Sequence, residues 1–270
     1  MKIISFNVNG IRARLHQLKK VISSHKPEII CLQETKVDNE NFPLGQIEEL
    51  GYKAIINGQK GHYGVATLFK NDISDYRLGF PTDKKDAQCR IIFTKHNFNK
   101  NSLNIINGYF PQGENRNHPI KFPYKEKFFK DLMKFLKKDF SPSEKIIILG
   151  DLNISPEDID IGIGEKNRKR WLSQGYTSFL PEEREWLQKI KDWGFFDSYR
   201  KFYPSSNDKF SWFDYRSRGF DDNPKRGLRI DHLWVTNSLL DKALSSGIDY
   251  GIRGMEKPSD HAPVWTDFKL

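Results

Sequence analysis

Five places in this 270-residue chain put an acid or an amide at the edge of an apolar run, where a strand end has no need of one. They are Asn7, Glu34, Asp151 with Asn153, Asp231, and Asp260 followed by His261. Taken singly, each also suits a helix cap, a turn or a solvated surface. Their recurrence at the same kind of position favours one shared site. Asp151 and Asn153 are two apart, so a chain that stays extended after Ile148-Leu149-Gly150 points them to the same side, and Gly150 lets another group approach closely. Carboxylates gathered in this way repel and raise one another's pKa unless a cation sits among them. The donors are oxygens, with no cysteine or histidine cluster. That suits the hard ion Mg2+, with Mn2+ as a substitute, and disfavours zinc.

The elements that must carry these residues are short. Apolar, β-branched or aromatic runs at 3–8, 28–32, 65–69, 90–93, 103–109, 146–149, 228–235 and 264–268 have strand length. Helical spacing joins Leu15, Leu18, Val21 and Ile22. It also joins Phe128, Phe129, Leu132, Met133, Phe135 and Leu136, and Trp186, Leu187 and Ile190 after Pro181. Strands and helices in mixed order, some strands close enough for hairpins, predict an α/β sandwich rather than a strictly alternating sheet. The polar, glycine-containing stretches 154–175 and 213–227 read as long surface loops.

The whole chain sets outer bounds. At 270 residues, with 37% hydrophobic and 13% aromatic residues and no linker-like cluster, it is expected to form one domain over 1–270. A formal charge of +9 suits an anionic partner, although a lysine-rich solvated surface gives the same number. Cys31 lies in an apolar run and Cys89 beside Arg90, which is neither a disulfide framework nor a metal-ligand spacing. A reducing cytoplasm is the expected compartment. The start MKIISFNVNG is too short and too polar for a signal peptide, and no run nears the ~20 apolar residues of a membrane span.

The segments SFNVNG (5–10), LQETKV (32–37), GDLNISP (150–156), RIDHLW (229–234) and SDHAPVW (259–265) resemble, in order, the motifs of the endonuclease/exonuclease/phosphatase superfamily. GQKGHYGVA (58–66), GYFPQGENRNHPIKFPYK (108–125), FSWFDYRS (210–217) and MEKPSDHAPVW (255–265) resemble its exonuclease III group, and the resemblance spans essentially the whole chain. It implies a four-layered α/β sandwich: two mixed β-sheets packed face to face and flanked by helices. It also implies a Mg2+-dependent DNA-repair nuclease acting 5′ to abasic sites and at 3′ ends of duplex DNA, as exonuclease and 3′-phosphatase, and working as a monomer.

By the same resemblance Glu34 is the principal metal ligand, with Asn7 and Asp260 helping to hold the ion. Asp151 activates or orients the attacking water, and Asn153 steadies Asp151 or a phosphate oxygen. His261 is similar to the family's phosphate-binding histidine, Asp231 to the carboxylate that orients it, and Tyr109 to a phenol that reaches the scissile phosphate. Arg90, Gln112, Lys121 and Arg216, with the basic run Lys166, Arg168, Lys169 and Arg170, offer phosphate contacts. Trp212 and Phe213 interrupt this polar surface, and Trp212, Leu228 and Ile230 are expected to line a pocket for a baseless sugar. Two features depart from the family pattern: Pro224-Lys225 read as an insertion, and His232 stands where an apolar residue is expected. Two rival functions use the same residues: a phosphoesterase of the superfamily acting on a non-DNA phosphate ester, and an inactive nucleic-acid-binding module. Competent residues at every proposed catalytic position argue against the second.

Overall fold

The computed structural model describes residues 1–98 and 101–270. In chain order its elements are β1 (Lys2–Asn7), α1 (Leu15–His25), β2 (Ile29–Gln33), α2 (Leu44–Glu49), β3 (Lys53–Asn57), β4 (Val65–Phe69), β5 (Ile73–Leu78), β6 (Ile91–Phe98) and β7 (Asn101–Tyr109). There follow α3 (Lys121–Asp139), β8 (Ile146–Asp151), α4 (Glu165–Gln174), α5 (Pro181–Trp193), β9 (Phe195–Asp197), α6 (Ser198–Phe202), β10 (Asp231–Thr236), α7 (Asn237–Leu240), β11 (Ala243–Ile248), α8 (Tyr250–Arg253) and β12 (Val264–Phe268). The strands form two six-stranded sheets, ordered β11-β12-β1-β2-β4-β3 and β5-β6-β7-β8-β10-β9. Each is mixed. One central pair runs parallel, β1 with β2 and β7 with β8, and the neighbouring pairs are antiparallel.

Side-chain clusters show how the layers stack. Ile3, Ile29 and Cys31 from one sheet pack with Ile105, Ile147, Leu149 and Leu233 from the other, so the sheets lie face to face. The alternate residues Ile4, Phe6, Ile30 and Leu32 turn outward onto Leu18 and Val21 of α1. On the far side, Ile106, Ile146 and Ile148 turn outward onto Phe128, Leu132 and Phe135 of α3 and Trp186 and Ile190 of α5. The result is the expected four-layered α/β sandwich. It follows from the two-residue strand period, because strands such as β2 and β8, buried along their whole length, must be apolar on both faces.

Several boundaries differ from the sequence reading. The stretch 154–175 is not a loop throughout, since it contains the 3-10 turn Asp158–Asp160 and α4. The stretch 213–227 forms no helix or strand, as expected. The run read as a strand over 228–235 becomes β10 only from Asp231. Leu228 instead bridges to Ile161 and Trp212. Strands β3, β5, β9 and β11, the four sheet edges, are absent from the runs expected from sequence. β5 is an exposed edge with ISDYRL as its sequence, and β9 is only three residues long. Edge strands need one neighbour and less burial, so β3, β9 and β11 carry apolar residues without an apolar run of strand length.

Candidate active site

Strand direction brings the acidic and amide residues to one end of the sandwich. Asn7 and Tyr109 are the last residues of β1 and β7, Glu34 follows β2, and Asp151 closes β8. Asp231 begins β10 rather than ending a strand, but β10 is antiparallel to β8 and Asp231 stands opposite Asp151 in register. His261 lies just before β12, which runs antiparallel to β1.

The two sheets are joined at this end by side chains. The Asn7 amide donates to Glu34 at 2.9 Å and, across the sheet gap, to Asp151 at 3.0 Å. Asp151 also accepts the Asn153 backbone N–H at 3.0 Å, while the Asn153 amide donates to the Phe110 carbonyl at 2.9 Å. Asn153 therefore steadies Asp151 with its main chain. The chain does not stay extended there, since it turns into the left-handed region at Asn153, φ 53°, and both side chains nonetheless line the same cavity. Glu34, Lys36 and Asn9 share that conformation with φ values of 50°, 57° and 45°. Such strain persists where surrounding contacts over-determine the backbone, commonly at functional sites. Gly150 behaves as expected: a Cβ there would lie 1.9 Å from the Gly108 carbonyl oxygen on β7.

His261 is buried, with Nδ1 2.8 Å from Asp231 and Nε2 3.8 Å from Asp151. Burial alone would lower its pKa, but Asp231, Asp151 and Asp260 outweigh that and hold it up at about 10. Asp151 is pushed up to about 8, chiefly by burial and then by Asp231 and Glu34, with His261 opposing. Glu34 is held below the usual carboxylate range: burial works against ionisation, but Lys36 and Asn7 prevail. The Tyr109 phenol is raised well above its ordinary value by burial and by the facing charges of Glu34 and Asp151.

Ligand atoms of Glu34, Asp151 and His261 all lie within 4.8 Å of one another. A buried carboxylate that resists ionisation beside a second carboxylate is what a divalent cation would relieve, so the donor set fits a metal. Asp260 lies outside this trio. Its oxygens accept from Asn9 at 2.8 Å and from the Trp212 indole at 3.0 Å. All four line a cavity of about 150 Å3, together with Tyr109, Asn153, Gln112, Ser178, Trp171, Trp212, Leu228 and Ile230. Buried polar and charged groups thus face an apolar wall.

Residues 4–261 match the Endonuclease/Exonuclease/phosphatase family. The chain is 57% identical over 269 residues to exodeoxyribonuclease III of Haemophilus influenzae, covering 100% of both chains. The chain belongs to this exonuclease III family. It is also similar to the solved 3′-5′ exonuclease of Neisseria meningitidis (34% identity, TM-score 0.90) and to an AP endonuclease of Archaeoglobus fulgidus (32%, TM-score 0.90). A Neisseria 3′ phosphatase bound to a product DNA hairpin is 33% identical with a TM-score of 0.89. All three matches cover 100% of both chains.

The residues expected to meet DNA in this exonuclease III-type chain divide into distinct environments. Gln112, Trp212, Leu228 and Ile230 line the cavity described above. Arg216, Lys121, Lys166, Lys169 and Arg170 are exposed, Lys121 beside Glu114 and Lys169 3.5 Å from Glu165. Arg168 is tied to Glu165 and Asp158. Two expectations need correction. Phe213 is fully buried among Phe210, Phe220 and Tyr250, because the loop backbone turns it inward, and it is a core residue. Arg90 is 6% exposed and lies over the rings of Tyr63 and Tyr109, with a hydrogen bond to the Tyr109 carbonyl. It braces Tyr109 rather than presenting a free cation. Trp171 escaped the sequence reading because its segment looked like a polar loop. A lone tryptophan between Arg170 and Leu172 was the available signal.

The two departures from the family pattern are accommodated locally. His232 is buried, within hydrogen-bonding distance of the Ile154 carbonyl and of Arg229. Lys225 folds back over Phe220.

Proposed function

We propose that this chain is a Mg2+-dependent DNA-repair nuclease that hydrolyses the phosphodiester 5′ to abasic sites and trims nucleotides or blocking groups from 3′ ends of duplex DNA. The observation that carries this reading is the position of Asp151, held by Asn7 and Asn153, facing the His261–Asp231 pair and adjoining the wall of Trp212, Leu228 and Ile230. Asp151 orients the attacking water and accepts its proton. The imidazolium of His261, kept charged by Asp231, donates to a phosphoryl oxygen, and the protonated Tyr109 supplies a second donor. Glu34 and Asp151, with Asn7 and Asp260 in support, hold the cation. His261 is excluded as a ligand in this reading because a protonated ring has no lone pair to give. When bound, Mg2+ supplies Lewis-acid stabilisation of charge on the phosphate and leaving oxygen. The apolar wall takes a sugar without a base, whereas Gln112, Lys121, Arg216 and the cations of α4 track the backbone.

The relatives' printed activities, an exodeoxyribonuclease, a 3′ phosphatase and an AP endonuclease, support the same reading. Both cysteines are free, and among the described residues no helix is long and apolar enough to cross a membrane. We place the enzyme in the cytoplasm, as one catalytic domain and a monomer. The test is a time course on an end-labelled duplex with one abasic site. We expect incision with Mg2+ and none after chelation by EDTA, with activity returning when Mg2+ is restored. Full incision after exhaustive chelation would overturn the metal assignment. Cleavage of phosphoinositides in preference to the abasic duplex would favour the rival phosphoesterase.

A further inference from the structure

The buried ion pair Lys125–Glu183 takes no part in the chemistry above, yet it touches three segments that wall the catalytic cavity. Both side chains are 0% exposed. Lys125, at the start of the second turn of α3, donates to Glu183, to the Asn153 carbonyl at 2.9 Å and to the Gln112 carbonyl at 3.1 Å. Glu183, on the first turn of α5, accepts the backbone N–H groups of Ser178 and Leu180, both at 2.8 Å. Gln112, Asn153 and Ser178 each line the cavity. All three ammonium protons have acceptors, so the pair is satisfied rather than stranded.

Stability alone is a poor reason for such a pair, because a buried ion pair can often be replaced by apolar residues of similar volume at no net cost. Apolar residues could not, however, bond to the main chain of three loops at once. Asn153 makes the difference matter. Its backbone is held left-handed, its N–H points at Asp151, and its carbonyl ends on Lys125.

We propose that Lys125 and Glu183 are a positioning pair that holds the Asn153 turn, and through it Asp151, in the geometry hydrolysis requires. This rests on the catalytic reading of Asp151 given above. The pair touches no substrate; it acts on turnover through Asp151, and on DNA affinity only through the backbone position of Gln112.

The test compares wild type with Lys125→Met, Glu183→Gln and the double variant Lys125→Met/Glu183→Leu, all with Mg2+ on the abasic duplex. Misplacing a catalytic group by about an ångström can cost on the order of a hundredfold in rate. For Lys125→Met and the double variant we expect kcat per folded molecule to fall roughly ten- to a hundredfold. KM should change by much less than kcat, and the salt dependence of DNA binding should stay as in wild type. Glu183→Gln should lose less. The double variant keeps the packing while removing the loop contacts, and Glu183→Gln is nearly isosteric, so the question stays open to measurement if Lys125→Met does not fold. Wild-type kcat in the folded variants would overturn the proposal, as would a loss confined to KM. If wild type itself leaves the abasic duplex intact, the functional reading fails instead.

Discussion

Asp151 is where the demands of folding and chemistry conflict. Its carboxylate is buried, resists ionisation up to about pH 8, and in the proposed mechanism must be charged beside a cation. Two outcomes follow from replacing it with the neutral, isosteric asparagine. Turnover should fall by orders of magnitude, since the interaction lost is one made in the transition state. In metal-free protein at pH 7 the melting temperature should hold or rise, because the raised pKa penalises the fold increasingly between about pH 4 and pH 8. Mg2+ should then stabilise wild type more than Asp151→Asn, as a ligand that binds only the folded state must. Melting curves with and without Mg2+ check this, and equal Mg2+ shifts would argue against Asp151 as a ligand. Trp212 tests the pocket instead. Its indole contributes to the cavity wall and hydrogen-bonds Asp260. Stacking platforms of this kind are worth roughly 1–3 kcal/mol, so Trp212→Ala should slow abasic incision about ten- to a hundredfold and slow 3′-end digestion less. Parallel loss of both activities with a lower melting temperature would make Trp212 a packing residue.

At the scale of elements, the catalytic end depends on loops that the sheets do not hold. The segment from Leu228 to Asp231 carries two pocket residues and the partner of His261. It is anchored by Arg229, which is buried and pairs with Asp160 at 2.6 Å and Asp197 at 2.7 Å. Burial opposes ionisation of Asp160, but Arg229 and Arg200 hold its pKa below the usual range, and Asp197 is lowered in the same way. A carboxylate with a depressed folded pKa contributes stability above its unfolded value, near 3.9, and loses it as pH falls through the folded value. Wild type should therefore lose melting temperature steeply below about pH 4. Asp160→Asn should already be destabilised at pH 7, by roughly 3–5 kcal/mol for a broken buried pair, and should show a shallower acid limb. Melting temperatures from pH 2 to 7 decide it, and superimposable acid limbs would remove the anchor role.

Across the whole molecule, the +9 charge and the exposed cations Lys121, Lys166, Lys169, Arg170 and Arg216 predict binding by counterion release. Affinity for duplex DNA should fall between low and moderate salt with a log–log slope of several units. A flat response, measured by fluorescence anisotropy at a fixed duplex length, would return the charge to ordinary surface solvation.

Most of the candidate site was legible in sequence, because an acid or amide at the edge of an apolar strand is costly without a partner and therefore conspicuous. Asn7, Glu34, Asp151, Asn153 and Asp231 were readable this way, and His261 through Asp260 beside it and the family motifs; the central strands and the helices α1, α3 and α5 were legible from their apolar period. Edge strands and α4 were not, since short or half-exposed elements carry no sustained apolar period. Which side of a loop faces inward was equally hidden. FSWFDYRS puts Trp212 and Phe213 side by side, and only the bridges of Trp212 to Leu228 and His261 decide that one lines the cavity and the other enters the core. The conversion of Arg90 from surface cation to brace, and the meeting of Lys125 with Glu183 across 58 residues, depend in the same way on contacts between distant segments. Sequence period reports a residue's own element; the partner that gives a buried charge its role is set by how the layers pack.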